Sequence, residues 1–404
     1  MAAMAGLDSE ERIILLQRRI QQEAKLAGCL VSQNVGIYYY TGSAQTGYLF
    51  VPAEGSATYY VKRSVERAEK ESRVRVAELG PMRRFGDLLA ADYPDLFAGG
   101  ACPAIGADLD VLPAQTYLRL TEAVPAASWM DASSLLRSLR SVKGAGEIAC
   151  IERAAQAAAA ALEAGLSSIS EGMTELALMT TIERELRARG HAGLMRMRGY
   201  NQEIATGMVA AGEAAAEPTY FDGPAGGRGL SPAVPQSASM RPIRRGEPIL
   251  LDIGCCLDGY VIDQTRTAVI GTLSPSLRFA YDTSVSLLRK IEELLRPGAV
   301  PEQLYVQALA IAEEAGLAGH FMGYGRDQVK FLGHGIGLEI DEWPVLARGF
   351  REPLLPGMVI AVEPKFTFPG EGVVGIENTY LITEDGCRAL TCSPERLFEV
   401  ESAD

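Results

Sequence analysis

Histidine is scarce: the chain has three, His191, His320 and His334, in 404 residues. That excludes a histidine-rich zinc site and limits any catalysis that shuttles protons through imidazole. Basic residues are outnumbered too. Lys plus Arg is 38 against 51 Asp plus Glu, a net charge of −13, so no basic face for nucleic acid is expected. The seven cysteines are an odd number with no CxxC pair, which suggests neither a disulfide framework nor a zinc ribbon. No apolar run approaches the roughly 20 residues of a membrane span, and the N-terminus enters charged helix-like sequence without a signal-peptide pattern. A cytoplasmic protein with no membrane or nucleic-acid partner is the expectation.

What is present is a globular composition, 48% hydrophobic and 22% charged. Residues 8–28 have helical periodicity. Short β-type runs follow at CLVS (from Cys29), VGIYYYTG (from Val35), GYLFVP (from Gly47) and ATYYVK (from Ala57), with helical stretches near 83–92 and 112–121. This predicts a compact α/β domain. A composition shift follows, with an Ala-rich helix over about Glu147–Gly165. It places a boundary near 135–145, and we divide the chain at 1–138 and 139–404. Further helices are expected near 173–189, 276–295 and 302–315. Residues 221–239, FDGPAGGRGLSPAVPQSAS, cannot form a regular element and suggest a lid or binding loop.

Chemistry concentrates in the C-terminal half. Asp252 ends the apolar strand of ILLDIG, and Asp263 lies in the next strand-like run, with Gly259 as a turn between them. Buried like charges repel unless a cation joins them. FLGHGIGLEIDEWP supplies His334, Glu339, Asp341 and Glu342. MVIAVEPKF ends a strand on Glu363, and VVGIENTYLIT carries Glu377. One imidazole and four carboxylates suit two divalent cations. Oxygen-rich ligation favours Mn²⁺, Fe²⁺ or Co²⁺, with Zn²⁺ possible. Two such ions would activate a water and polarise a carbonyl, which is the chemistry of amide hydrolysis.

These segments resemble the pita-bread metallopeptidases: methionine aminopeptidase, aminopeptidase P and prolidase, with creatinase as a metal-free relative. LRSVKGAGEIACIERAA, DGYVIDQTRT, GHGIGLE, VEPKF and GIEN match in order, and Asn34–Val51 looks like the start of a creatinase-type N-terminal domain. The resemblance implies an α+β chain, a creatinase-type α/β domain followed by a pita-bread catalytic domain. It implies Asp252, Asp263, His334, Glu363 and Glu377 as ligands of two divalent ions, with Asp263 and Glu377 bridging. The residue matching Glu363 sits beside the attacking water and is the usual candidate for moving its proton, so Glu363 and His334 are the catalytic pair. It also implies a homodimer acting on a small peptide.

The outer residues depart from that pattern. Where the family has a Pro-His pair, this chain has Pro218-Thr219. Lys330 stands four residues before the ligand histidine and Asp341 seven after it, both in places of expected histidines. Gly375 replaces an arginine two residues before Glu377. Thr219, Lys330 and Asp341 are therefore the candidate substrate contacts, and Lys330 could pair with Asp341. The leading expectation is an Xaa-Pro aminopeptidase or dipeptidase. The alternative is a non-peptidase amidohydrolase or lyase of the same fold, ectoine hydrolase-like or creatinase-like, acting on a small amide.

Overall fold

The amphipathic N-terminal helix forms over Ser9–Gln22, burying Leu16 and Ile20. The computed structural model describes residues 9–22, 26–97 and 102–401, so residues 8 and 23–25 of the expected helix lie outside the described residues. The chain divides into two compact units, Met1–Arg140 and Ser141–Asp404.

The first unit is built on a six-stranded sheet. Its strands are β1 (Gly28–Val31), β2 (Gly47–Pro52), β3 (Thr58–Val61), β4 (Arg75–Glu78), β5 (Ala104–Ala107) and β6 (Ser128–Asp131), in the order β4-β3-β2-β1-β5-β6. β2 runs antiparallel to β1 and β3, and the other neighbours are parallel. Helices Phe85–Asp92 and Ala114–Ala123 add Phe85, Leu89 and Leu120 to a core shared with Leu30, Phe50 and Ile105. One expectation is corrected. The run at Val35 is not a strand but the helix Asn34–Thr41, ended by Gly42 at φ +80°. β-branched and aromatic residues carry only a weak preference for strand, and here burial of Val35, Ile37, Tyr39 and Tyr40 overrides it.

The second unit opens on the helix Ala145–Ser168, which packs its alanine-rich face inward, followed by Glu175–Ala188. A four-stranded sheet follows, ordered β17-β9-β8-β7. Its strands are β7 (Gly207–Ala211), β8 (Pro248–Leu257), β9 (Tyr260–Ile270) and, at the far end of the chain, β17 (Phe398–Val400). A five-stranded antiparallel sheet of β10 (Phe331–Gly335), β11 (Glu342–Ala347), β12 (Val359–Val362), β15 (Asn378–Ile382) and β16 (Cys387–Ala389) has the order β11-β10-β12-β15-β16. Between β12 and β15 the chain makes a separate hairpin, β13 (Lys365–Phe368) and β14 (Gly372–Gly375). Helices Pro275–Leu294 and Pro301–Glu314 share the main core with residues of this sheet, among them Leu288, Leu304, Leu332, Ile360 and Tyr380. No helix among the described residues is long and apolar enough to cross a membrane.

Candidate metal centre

The first two acids are placed by a hairpin. β8 and β9 pair from Pro248↔Val269 to Leu257↔Tyr260, closed by Asp258 and Gly259 at φ +51° and +89°. Two positive-φ residues suit a tight turn matching the strands' twist, and Asp-Gly supplies them at little cost. The resulting register sets Asp252 opposite Thr265. Asp263, two residues along β9 from Thr265, points to the same face. All eleven residues of β9 are buried, so Asp263 is an acid inside an apolar strand.

The remaining donors come from the second sheet. His334 sits in β10 opposite Ala361 of β12, and Glu363 follows the last residue of β12, its N–H donating to Leu332 O at 3.0 Å. His334 Nε2 lies 3.4 Å from Glu363 Oε1. Glu377, in the link between β14 and β15, makes an antiparallel bridge to Thr265 of β9. Its N–H donates to Thr265 O at 3.1 Å, and Thr265 Oγ1 donates to Glu377 Oε2 at 2.7 Å. Below it, the buried Arg266 donates to the carbonyls of Thr265, Glu377, Ser393 and Pro394 and to Asn378 Oδ1.

The five residues therefore converge in two overlapping groups, Asp263–His334–Glu377 and Asp252–Glu363–Glu377, each with donor atoms within 4.8 Å of one another. Burial raises Asp263 well above the ordinary carboxylate range, and the charges of Glu377 and Asp252 add to the rise. Burial and the neighbouring Glu363 and Asp252 push Glu377 up to about 7 against the pull of Lys365. Burial alone would lower His334, but contact with Glu363 and the charges of Glu377 and Asp263 raise it to about 10. Burial acts to raise Glu363, yet Lys365 and His334 hold it below its usual value. The acids are crowded enough to retain protons, a strain that a cation relieves. Glu377 Oε1 is buried without a hydrogen-bond partner, and a carboxylate oxygen can only be satisfied by a donor or a cation. On both counts the donor set fits divalent metal.

Two residues at this centre were missed in the sequence. Lys365 is fully buried, its Nζ 2.7 Å from Glu363 Oε2, 3.0 Å from Asp252 Oδ2 and 3.2 Å from Glu377 Oε2. The available signal was a lysine two residues after Glu363 in an otherwise apolar strand. Asp222, at the start of the Gly/Pro-rich segment, is solvent-exposed, and desolvation by its surroundings and the charge of Glu363 raise it. Nothing marked it in the sequence.

Thr219, Phe221, Asp222, Tyr324, Lys330 and Val345 are among the residues lining a cleft of about 910 Å³. The loop reaches this cleft with residues 219–226, where Thr367 Oγ1 donates to Pro224 O at 2.9 Å. Its remainder folds back on itself, Ser237 N–H donating to Gly226 O and Gly229 N–H to Ser237 O. Asp341 lies elsewhere: its carboxylate accepts from the backbone N–H groups of Arg198, at 2.9 Å, and Gly199, at 3.1 Å. Glu342 pairs with the buried Lys143 at 3.0 Å, and Glu339 with Arg198 at 3.7 Å.

Buried carboxylates and one imidazole gathered at the meeting of two sheets define a metal-dependent hydrolase. The chain belongs to metallopeptidase family M24, which it matches over residues 149–384, and residues 12–142 match the creatinase/prolidase N-terminal domain. It is 26% identical to an Xaa-Pro dipeptidase of Pyrococcus furiosus, over 94% of this chain and 97% of that one. It is 30% identical to the probable dipeptidase PepE of Mycobacterium tuberculosis, over 96% of each chain. Among solved structures, an Xaa-Pro dipeptidase from Bacillus anthracis superposes with a TM-score of 0.81 at 26% identity, covering 97% of this chain and all of the other.

Proposed function

We propose that this chain is an Xaa-Pro-type dipeptidase or aminopeptidase, hydrolysing the first peptide bond of a dipeptide or short peptide with two divalent ions. The observation that carries it is the convergence of Asp252, Asp263, His334, Glu363 and Glu377, with Glu377 Oε1 left for a cation. Those five are the proposed ligands, and hard oxygen donors with one imidazole favour Mn²⁺ over Co²⁺, Fe²⁺ or Zn²⁺. When bound, the ions would polarise the scissile carbonyl and make the attacking water acidic.

This chain's own residues supply the rest. Glu363, held ionised by Lys365, takes a proton from the water and passes it to the leaving amine. His334 Nε2, 3.4 Å from Glu363 Oε1, would ligate metal beside that base while its Nδ1 faces the Gly335 carbonyl. Thr219 and Lys330 line the cleft, which none of the five ligands lines, and they are the proposed contacts for a substrate's carbonyl and terminal carboxylate. Asp341 serves from further away, fixing the 198–199 backbone. We propose a cytoplasmic homodimer, on the resemblance to two-domain relatives.

A substrate panel tests the reading: Xaa-Pro dipeptides, Xaa-Pro tripeptides, dipeptides without proline and small cyclic amides, each with Mn²⁺, Co²⁺ and Zn²⁺. Turnover of Xaa-Pro dipeptides above the rest is expected. Turnover of cyclic amides alone would replace it with the amidohydrolase reading.

A further inference from the structure

Among the described residues, Lys365 is the ammonium that sits inside the carboxylate cluster. Its position follows from the β13–β14 hairpin, where Lys365 pairs directly with Gly375. A Cβ at residue 375 would stand 2.7 Å from Lys365 Cγ and 2.7 Å from Pro364 O. The lysine stem occupies the space a side chain at 375 would need, so the two positions cannot both carry one. Gly375 thus leaves room for the stem, and the stem delivers the ammonium to Asp252, Glu363 and Glu377.

We infer that Lys365 is a resident cation of the metal centre. It positions the three carboxylates when no metal is bound, and it competes with an incoming divalent ion for their oxygens. The inference rests on the metal-centre reading above. The ammonium lowers by one unit the negative charge that metal has to neutralise at the site. Buried carboxylates left without any cation repel each other and open the site. With the ammonium in place, the metal-free site keeps its oxygens together. The cost is repulsion between the ammonium and the metal, felt at a few ångströms and poorly screened in a buried site.

The test is Co²⁺ binding to chelator-stripped, full-length protein, read by competition with a chromophoric chelator and by the visible Co²⁺ spectrum. Lys365→Met removes the charge and keeps the stem. It is expected to bind Co²⁺ at least ten-fold tighter than wild type, and to gain more in Tm on adding Co²⁺. Lys365→Arg keeps a cation on the stem and is expected to hold Co²⁺ affinity within a few-fold of wild type, a split between the two variants that a merely structural lysine would not give. If stripped Lys365→Met does not fold, release of Co²⁺ to excess EDTA from protein purified with the metal gives the same comparison. Slower release than wild type supports the inference. Unchanged or weaker Co²⁺ binding, or unchanged or faster release, in Lys365→Met overturns it. Wild-type protein that binds no Co²⁺ would instead sink the metal-centre reading itself.

Discussion

Glu363 touches both cations already present at the site, the ammonium of Lys365 and the ring of His334. A neutral amide there keeps the shape and loses the base. Glu363→Gln is expected to retain the far-UV circular dichroism of wild type while peptide turnover falls by about 100-fold or more. Wild-type turnover would remove Glu363 from the reaction. His334 and Glu377 predict a pH dependence. In stripped protein His334, raised to about 10, holds its proton at neutral pH, and Glu377, raised to about 7, is partly protonated. For both, the folded state binds the proton more tightly than the unfolded one. His334 therefore contributes stability that is complete below its ordinary 6.5 and lost as pH rises through about 10. Glu377's contribution is complete below its ordinary 4.5 and lost as pH rises through about 7. Metal must displace these protons, so affinity should climb between pH 6 and 8, about tenfold per pH unit. Calorimetry in two buffers of different ionisation enthalpy should find roughly one or more protons released per chain. At this scale the five proposed donors could be picked out in the sequence, because each stands in a recognisable segment in a fixed order. Lys365 was not, because its meaning depends on which residue of the next strand faces it.

Among the elements, the β8–β9 hairpin and the Thr265–Glu377 bridge do most of the placing. Arg266 lies behind that bridge with its guanidinium spent on four carbonyls and one amide oxygen. Replacing it strands several buried acceptors at once. Arg266→Leu is expected to cost about 3–5 kcal/mol in chemical denaturation, and to lower metal content by loosening Glu377. A loss under 1 kcal/mol with full metal content would show that the carbonyls find other donors. The hairpin could be read in the sequence from two apolar runs and a glycine turn. The helix Asn34–Thr41 could not: its residue types favour a strand, and the pattern of burial that decides otherwise is set by distant packing. The segment 221–239 was rightly seen as irregular, but only the folded chain separates the part lining the cleft from the part tied back on itself.

At the scale of the molecule, all five proposed ligands lie in the second unit, and none belongs to its main hydrophobic core. That core is formed by the helices Pro275–Leu294 and Pro301–Glu314 with the five-stranded sheet, and its many apolar contacts lie beyond the few residues, such as Val362 and Ile376, that flank the ligands. EDTA treatment is therefore expected to abolish peptide turnover, lower Tm, and leave far-UV circular dichroism unchanged at 25 °C, with activity returning on Mn²⁺ addition. Loss of the helical signal with the metal would mean that the core depends on the centre. The composition shifts near residues 135–145 and the two units part at Arg140, whereas core and site could not be told apart in the sequence, since both draw on the same apolar strands.

The bridge between Thr265 and Glu377 has one more consequence. Side chains on a strand alternate faces, so a slip of one residue there would turn Glu377 away from the other donors and carry the buried Ile376 off the core face. A chain paired with that error would lose core packing together with a metal ligand. Seating Ile376 in the core and aiming Glu377 at the other donors are then a single event.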